Sequence, residues 1–438
     1  MKHEPVIAVF GLWHLGCVTA ACLAQEHFQV WGIDPDENVV RDLNSGKPPI
    51  LEPGMTELIA EGQRSGLLKF SSDYREALRD ATVVWVTFDT PVDDNDNADV
   101  AFVQSRLDDA FPHIQSGSIV LISSQVPVGF TDNLRRQWKA KDPEKEIIFS
   151  YSPENLRLGK ALKSFRAEDR IVVGIDGDRG HERLEGILTR FCPRLEWMSI
   201  KSAEMTKHAL NSFLAVSVSM ANEIARLCER TGADAKEVER GLKSESRIGA
   251  GAYLGPGGPF AGGTLARDAR FLIQKGIEFG VETPLLSGAL HSNEVHKKWV
   301  QETALQLLKD VKAPARVSVL GLTYKAGTDT LRRSEAVSLG LWLTRHGASV
   351  VFHDPVVRQL PEELAGQFQL TDQLAEALSG SDLVVISTGW PIYREEIKPE
   401  MLRRAMRRAA VIDQTRFLAS AFEKQNEVLY FAVGKPRN

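Results

Sequence analysis

The same succession of apolar run, glycine turn and second apolar run ending in Asp-Pro occurs twice in this chain. In the first copy, the run 6–10 precedes a turn at 11–16, a small-residue helix at 17–25 and a second run that ends at Asp34-Pro35. In the second copy, the run 317–320 leads to Gly321, and the run 349–352 ends at His353-Asp354-Pro355. Short apolar runs that alternate with helical patterns are typical of buried strands in a parallel sheet with crossover helices. The repeat therefore favours two sheets of the same kind.

The remaining segments fit this division of the chain. Further apolar runs predict strands at 82–87, 119–122, 383–386 and 410–412. Between the two halves the pattern is helical at 202–230 and at 265–309, with a break near Thr283-Pro284 and a Gly-rich stretch at 249–263. We therefore predict an α/β protein with two Rossmann-like doubly wound domains joined by a central helical region, with boundaries at 1–200, 201–311 and 312–438. If the repeat is set aside, unrelated domains are the alternative.

The composition excludes several other classes of protein. Lys and Arg total 53 against 58 Asp and Glu, and the formal net charge of −5 gives no reason to expect nucleic acid or an anionic membrane surface as a partner. No apolar run reaches the roughly 18 residues of a membrane span. The four cysteines, Cys17, Cys22, Cys192 and Cys228, show no paired spacing for a metal. We expect a reduced, cytoplasmic protein without a metal site.

The turn at 11–16 predicts the pyrophosphate site of a dinucleotide. It follows a strand and opens a helix, where free N–H groups and the helix dipole favour an anion. Asp34 ends the next strand, 18 residues after Gly16, where an acid accepts hydrogen bonds from ribose hydroxyls and favours NAD over NADP. Trp13 replaces the usual second glycine, so its side chain must turn aside or displace the loop. A doubly wound fold with an empty crevice is the alternative. The candidate cofactor residues are Gly11, Leu12, Trp13, His14, Leu15, Gly16 and Asp34.

Short segments in the same order along nearly the whole chain resemble the UDP-glucose/GDP-mannose dehydrogenase family. They are NSGKPPILEPG (44–54), VPVG (126–129), SPENLR (152–157), AEMTK (203–207) with Asn211, RIG (247–249), GGTLARD (262–268) and GLTYK (321–325). The resemblance implies an N-terminal NAD domain, a central helical dimerisation region and a C-terminal domain that binds the nucleotide sugar. It also implies oxidation of the C6 alcohol of the sugar to a carboxylate with two NAD.

The resemblance assigns candidate catalytic residues. Lys207 and Asn211 match the Lys and Asn that hold the reacting oxygen, and their spacing of four places them on one helix face. Asp268 matches the Asp that handles a proton through water, and Glu154 matches a Glu of the active-site loop. Alcohol oxidation needs a base, a partner for the oxyanion and a hydride acceptor. The alternatives are a solvated helix face for Lys207, a partner of the helix dipole for Asp268 and a surface acid for Glu154.

The resemblance also assigns contacts with the ligands. Thr87 and Gln125 join the cofactor residues, and Gln125 stands where the family commonly has the Thr that positions water. Arg247 matches an Arg that reaches the sugar nucleotide from the neighbouring subunit, and the Gly-rich stretch would lie along the nucleotide. For Arg247, Lys325 and Arg332, a surface charge that contacts no ligand is the alternative. The candidate substrate residues are Glu154, Leu156, Arg157, Lys207, Asn211, Arg247, Tyr253, Gly257, Gly258, Lys325 and Arg332.

Thr264 stands where the family has its nucleophilic Cys. A thiolate is accessible because the pKa of Cys is about 8.5, whereas an aliphatic hydroxyl needs a dedicated base. Leu158 also stands where sugar-oxidising members often have a second Glu. Three hypotheses follow: a two-electron oxidation that ends at a carbonyl, a four-electron oxidation through the aldehyde hydrate, and a nucleotide-sugar-binding protein without turnover.

The helical segment 202–230 predicts a homodimer. Its apolar residues exceed one narrow stripe, as expected of a helix that is covered on several sides. Burial of this helix within one chain is the alternative.

Overall fold

The computed structural model describes residues 5–93, 98–154, 156, 159–167, 169–260, 262–311, 314–331, 334–423 and 425–436. These residues form two compact units, Met1–Leu210 and Asn211–Asn438, and each unit contains one sheet. The predicted α/β fold with two parallel-sheet domains and a long central helix is confirmed. The division at residues 200 and 311 stays a prediction.

Within the described residues, the first unit is built on an eight-stranded sheet with the order β3-β2-β1-β4-β5-β6-β7-β8. The pairs from β3 to β6 are parallel, whereas β7 runs antiparallel to β6. The order reverses between β1 and β4, and ligands of doubly wound sheets bind at such a switch point. The strands are β1 (Val6–Phe10), β2 (Gln29–Ile33), β3 (Leu68–Ser71), β4 (Val83–Val86), β5 (Ile119–Ile122), β6 (Ile148–Tyr151), β7 (Ile171–Ile175) and β8 (Leu195–Met198).

Two hydrophobic clusters hold the helices on the first sheet. Alternate residues of β1 enter different clusters, Ile7 and Val9 in one and Ala8 and Phe10 in the other, as expected when side chains alternate across a sheet. The helices are α1 (His14–Gln25), α2 (Glu37–Asn44), α3 (Met55–Arg64), α4 (Tyr74–Ala77), α5 (Val100–Ala110) with a 3₁₀ turn at Phe111–His113, α6 (Phe130–Lys141), α7 (Ala161–Arg166) and α8 (His181–Leu188). Helix α9 (Ile200–Thr231) begins in the first unit and ends in the second.

The described part of the second unit repeats the strand order in a six-stranded, wholly parallel sheet, β11-β10-β9-β12-β13-β14. Its strands are β9 (Arg316–Leu320), β10 (Ser349–His353), β11 (Gln369–Thr371), β12 (Leu383–Ile386), β13 (Ala410–Asp413) and β14 (Leu429–Phe431). Its helices are α10 (Ala235–Ser244), a π-helical turn (Gly262–Ala266), α11 (Arg267–Phe279), α12 (Pro284–Leu308), α13 (Glu335–Arg345), a 3₁₀ turn (Glu362–Leu364), α14 (Leu374–Leu378), α15 (Pro391–Glu396), α16 (Pro399–Ala405) and α17 (Ala419–Phe422).

Candidate active site

The glycine turn after β1 is held by its own backbone and by Asp34. Gly11 has a φ of +104°, and a Cβ at this position would lie 2.7 Å from the Phe88 ring. The Leu12 N–H donates to Oδ2 of Asp34 at 2.7 Å, and the Asp36 N–H donates to Oδ1 at 3.0 Å. Burial raises the pKa of Asp34, although these two donors act in the opposite direction. The carboxylate is only partly buried, so it remains accessible to a ribose hydroxyl.

Trp13 lies at the N-cap of α1 and has an exposed side chain. It is 43% exposed, and the turn keeps its backbone bonds, including Gly11 N–H to Ile33 O at 2.9 Å. The Trp13 side chain makes no capping hydrogen bond, so the first turn of α1 is left for an anion. The buried Thr87 hydroxyl donates to the Gly11 carbonyl at 2.8 Å and thus stabilises the turn. These features fit the pyrophosphate and ribose of NAD.

Asp354, the counterpart of Asp34 in the second sheet, is fully buried. Its two oxygens accept hydrogen bonds from the backbone N–H groups of residues 322, 323, 356 and 357 and from the Trp390 indole. The Ser334 side chain also caps α13, the helix that corresponds to α1. Since its acid is buried and its helix is capped, the second sheet does not offer the ribose and pyrophosphate contacts of the first.

The first turns of α9 fix the loop that follows β5. The fully buried Glu204 accepts hydrogen bonds from the Gly129 N–H at 2.6 Å and from the Thr131 N–H and hydroxyl at 3.0 and 2.7 Å. The His208 ring bonds the Val126 carbonyl at 2.9 Å, next to the buried Gln125. Burial raises the pKa of Glu204. Helix α9 thus positions the loop in which the candidate cofactor residue Gln125 lies.

Lys207 lies against the loop that follows β6. Its side chain is 4% exposed, its ammonium donates to the Glu154 carbonyl, and it lies 3.9 Å from Oε1 of Glu154. The other Glu154 oxygen accepts the Leu156 N–H at 2.6 Å. The solvated-face alternative therefore does not describe Lys207, because this lysine is buried, whereas the Glu154 side chain is 26% exposed.

Asn211 and Asp268 form a buried pair in the second unit. The Asn211 side-chain amide donates to Oδ2 of Asp268, and both side chains are buried. Asp268 lies in the first turn of α11, directly after the π-helical turn that carries the exposed Thr264. π-Helical turns are rare and are frequent at functional sites.

Three buried side chains, which the sequence did not predict, clamp the Gly-rich stretch. Asn222 of α9 accepts the Gly257 N–H at 3.0 Å and donates to the Gly258 carbonyl at 3.2 Å. His296 of α12 bonds the Gly257 carbonyl at 2.7 Å, and Asn293 bonds both backbone groups of Phe260 at 2.9 Å. Burial lowers the pKa of His296, and the nearby Arg226 adds to the effect. The loop predicted to follow the nucleotide is therefore rigidly held, although no motif marked the residues that hold it.

The other candidate residues lie in diverse surroundings. The Arg247 side chain is 86% exposed and pairs with Glu245 at 3.1 Å, and Tyr253 is also exposed. Lys325 lies in the loop between β9 and α13, where its carbonyl accepts the Thr328 hydroxyl at 3.0 Å. Arg157 and Arg332 lie outside the described residues, as does Leu158.

The sequence matches the models of one protein family along most of its length. The NAD-binding, central and UDP-binding domain models of the UDP-glucose/GDP-mannose dehydrogenase family match residues 5–192, 201–295 and 318–420. The chain belongs to this family. It is an NAD-dependent nucleotide-sugar dehydrogenase, and the predicted cofactor and the predicted class of substrate are confirmed.

Individual members of the family match over almost their entire length. UDP-glucose 6-dehydrogenase from Pseudomonas aeruginosa is 30% identical over 444 residues, which cover 98% of each chain. The structure of a UDP-glucose dehydrogenase from Pyrobaculum islandicum matches with a TM-score of 0.87 and 28% identity over 99% of this chain and 98% of that one. UDP-D-ManNAc dehydrogenase from Pyrococcus horikoshii matches with a TM-score of 0.86 and 25% identity over 98% and 99%.

No helix in the described ranges is both long and apolar enough to cross a membrane. In those ranges there is also no group of three or more His, Cys, Asp or Glu that could hold a metal ion.

Proposed function

We propose that this nucleotide-sugar dehydrogenase oxidises the C6 alcohol of a UDP-sugar, as a UDP-glucose 6-dehydrogenase does, and that it stops after two electrons. The observation that carries the proposal is the buried Asn211–Asp268 pair, one helical turn along α9 from the buried Lys207. A spacing of four residues places two side chains on the same helix face, so Lys207 and Asn211 can serve one carbinol.

The roles follow from the donors and acceptors of each group. Asp268 takes the proton of the alcohol, through water as the family resemblance implies. The Lys207 ammonium and the second N–H of Asn211 stabilise the negative charge that develops on the oxygen. Bound NAD supplies the hydride acceptor. Loss of one proton from oxygen and one hydride from C6 gives an aldehyde, one NADH and one proton.

The proposal stops at the aldehyde because the chain lacks the nucleophile that the family uses to oxidise the aldehyde to a carboxylate. Thr264 is exposed before α11, and an aliphatic hydroxyl needs a dedicated base to attack the aldehyde. The four cysteines of the chain lie at other positions and are buried. Burial raises the pKa of Cys22 to about 11 and raises that of Cys17 further, so neither thiol is a ready substitute.

The test is the number of NADH formed per sugar across a panel of UDP- and GDP-sugars, with the mass of the product. One NADH together with a carbonyl that a hydroxylamine traps supports the proposal. Two NADH and a uronate contradict the two-electron limit and support the hydrate route. Tight binding of a nucleotide sugar without NADH would favour a non-catalytic binding protein.

We also propose a cytoplasmic homodimer formed through α9. Phe213, Met220 and Leu227 follow each other at intervals of seven and are 71%, 49% and 60% exposed. Residues seven apart lie on nearly the same helix face, so they form an apolar stripe, which a second copy would cover. The exposed Arg247 is then available to the nucleotide of the neighbouring subunit, as the resemblance implies. The buried, unpaired cysteines agree with a reducing compartment.

A further inference from the structure

Glu52 is a buried carboxylate that joins three segments of the first unit. Its Oε1 accepts the Ala161 N–H at 2.8 Å, and its Oε2 accepts the Gly159 N–H at 2.8 Å. The same Oε2 lies 3.0 Å from Nε2 of His14. Because this carboxylate oxygen already acts as an acceptor, the imidazole donates its Nε2–H. One side chain, 4% exposed, thus satisfies three donors.

The partners of Glu52 belong to elements that serve different ligands. His14 is the first residue of α1, and its backbone lies in the turn that fits the pyrophosphate of NAD. Gly159 and Ala161 lead into α7, downstream of Glu154, which contacts Lys207. The carboxylate therefore connects the cofactor turn with the end of the candidate substrate loop.

Packing beside these hydrogen bonds is incomplete. A cavity of about 30 Å³ lies between α1 and the start of the same loop, and its lining includes Leu15, Thr19, Pro153 and Glu154. The hydroxyl of Thr19 is buried there and has no hydrogen-bond partner among the described residues. The cavity leaves room for small shifts of Pro153 and Glu154 against α1, whereas the hydrogen bonds through Glu52 make the positions of His14, Gly159 and Ala161 depend on each other.

We propose that Glu52 is a positioning residue that couples the binding of the cofactor to the binding of the nucleotide sugar. The proposal depends on the proposed function for the identity of the second ligand. A ligand that contacts the turn at His14 fixes the positions of Gly159 and Ala161 through Glu52, so each ligand binds more tightly when the other is present. Such coupling is reciprocal and typically amounts to a factor of about 5 to 150.

The experiment titrates the full chain with NADH, followed by fluorescence, with and without saturating UDP-glucose. NADH is used because it forms a complex with the substrate in which no turnover occurs. For the wild type we expect the sugar nucleotide to lower the Kd of NADH about fivefold or more. Glu52→Gln keeps the shape of the side chain but places a donor against at least one N–H group, and we expect the factor to fall below about twofold.

Two further variants test the hydrogen bond between His14 and Glu52 from the side of His14. His14→Gln keeps an N–H donor toward Glu52 and should keep the coupling, whereas His14→Leu removes the donor and should lose it. His14→Leu also carries the test if Glu52→Gln does not fold. Glu57→Gln, an exposed acid on α3, is the matched control and should bind as the wild type does.

The outcomes distinguish the two proposals. If the wild type binds both ligands with a coupling factor near one, or if Glu52→Gln keeps the wild-type factor, the role of Glu52 is overturned and the proposed function stands. If Glu52→Gln lowers the melting temperature and both affinities but leaves the coupling factor unchanged, Glu52 is only structural. That outcome also overturns its role in coupling. If the wild type binds no UDP-sugar, the proposed function fails and the coupling fails with it.

Discussion

Asn211 of α9 donates a hydrogen bond to the carboxylate of Asp268, which is fully buried in the first turn of α11. A carboxylate removed from bulk solvent needs such donors, because its lost hydration is otherwise uncompensated. The amide nitrogen has two N–H groups, so one remains for a ligand after the other is given to Asp268. The pair therefore orients a proton acceptor and keeps a donor beside it.

Asp268→Asn should abolish the proton acceptor and preserve the shape of the side chain. General base catalysis contributes about 10²- to 10⁴-fold, so we expect kcat to fall at least 100-fold and KM for the sugar to change little. Initial rates of NADH formation measure both. Glu278→Gln, an exposed acid on the same helix, is the control. A kcat of Asp268→Asn within tenfold of the wild type would refute the role of this residue.

Lys207→Met should remove the ammonium that the proposal places beside the reacting oxygen. Loss of one preorganised charge of this kind lowers kcat by about 10²- to 10³-fold. Lys201→Met is the control, because Lys201 lies six residues earlier on α9 and its side chain is 64% exposed. If Lys207→Met keeps the wild-type kcat, as Lys201→Met should, Lys207 serves only to hold the Glu154 loop.

Thr264→Cys tests whether the nucleophile is the missing part. A thiol on the exposed turn before α11 can attack the aldehyde, and the resulting thiohemiacetal can lose a second hydride. We expect the yield to rise from one to two NADH per sugar, with a burst as the thioester accumulates. Thr264→Ser keeps the hydroxyl and should stay at one NADH. A yield of one NADH for Thr264→Cys would mean that more than the nucleophile differs.

The centre of each sheet was predictable, because strands such as β1, β4, β5 and β12 are continuous apolar runs. The runs 6–10, 119–122 and 383–386 are strands with the same bounds in the structure, and α12 begins at Pro284 as the break near Thr283-Pro284 indicated. Strands β3, β6, β7, β8, β11 and β14 were not predicted. Strand β8, for example, is short and contains a glutamate. The antiparallel pairing of β7 with β6 was missed as well, because strand direction depends on the connection and leaves no local pattern.

The site was predictable only where one short segment carries the chemistry. The glycine turn and Asp34 follow from neighbouring strands, whereas the family resemblance assigned Lys207 and Asn211, and their helical spacing only placed them on one face of α9. Asn222 and His296 come from different helices and meet only through their contacts with Gly257. Glu52 likewise meets His14 and Ala161 only in the folded chain. Such residues look like ordinary polar positions in the sequence, since nothing local shows what they contact.

His296 should make the folded state sensitive to mild acid. Its pKa is lowered from 6.5 by burial, so the unfolded chain binds the proton at a higher pH than the folded chain does. The free energy of unfolding should therefore decrease as the pH falls through about 6.5. Buried His353 has the same sign, so the comparison must be with a variant that retains it. His296→Gln keeps a donor toward Gly257 and should lose less melting temperature between pH 7.5 and 5.5 than the wild type. An identical loss would contradict the assignment.

Leu227→Glu should break the proposed dimer. Burial of a Leu or Phe side chain contributes about 1.5–3 kcal/mol, and a carboxylate in the apolar stripe of Phe213, Met220 and Leu227 replaces that gain with a desolvation penalty. Light scattering on dilute samples should give twice the chain mass for the wild type and the chain mass for the variant. Arg345→Glu, an exposed change on α13, should remain dimeric.

If Arg247 reaches the nucleotide of the neighbouring subunit, the monomeric variant should also show a raised KM for the sugar nucleotide. Arg247→Ala in the intact dimer should raise this KM similarly. A wild type with the mass of a single chain would rule out the dimer, and the stripe would then be an exposed face of a monomer.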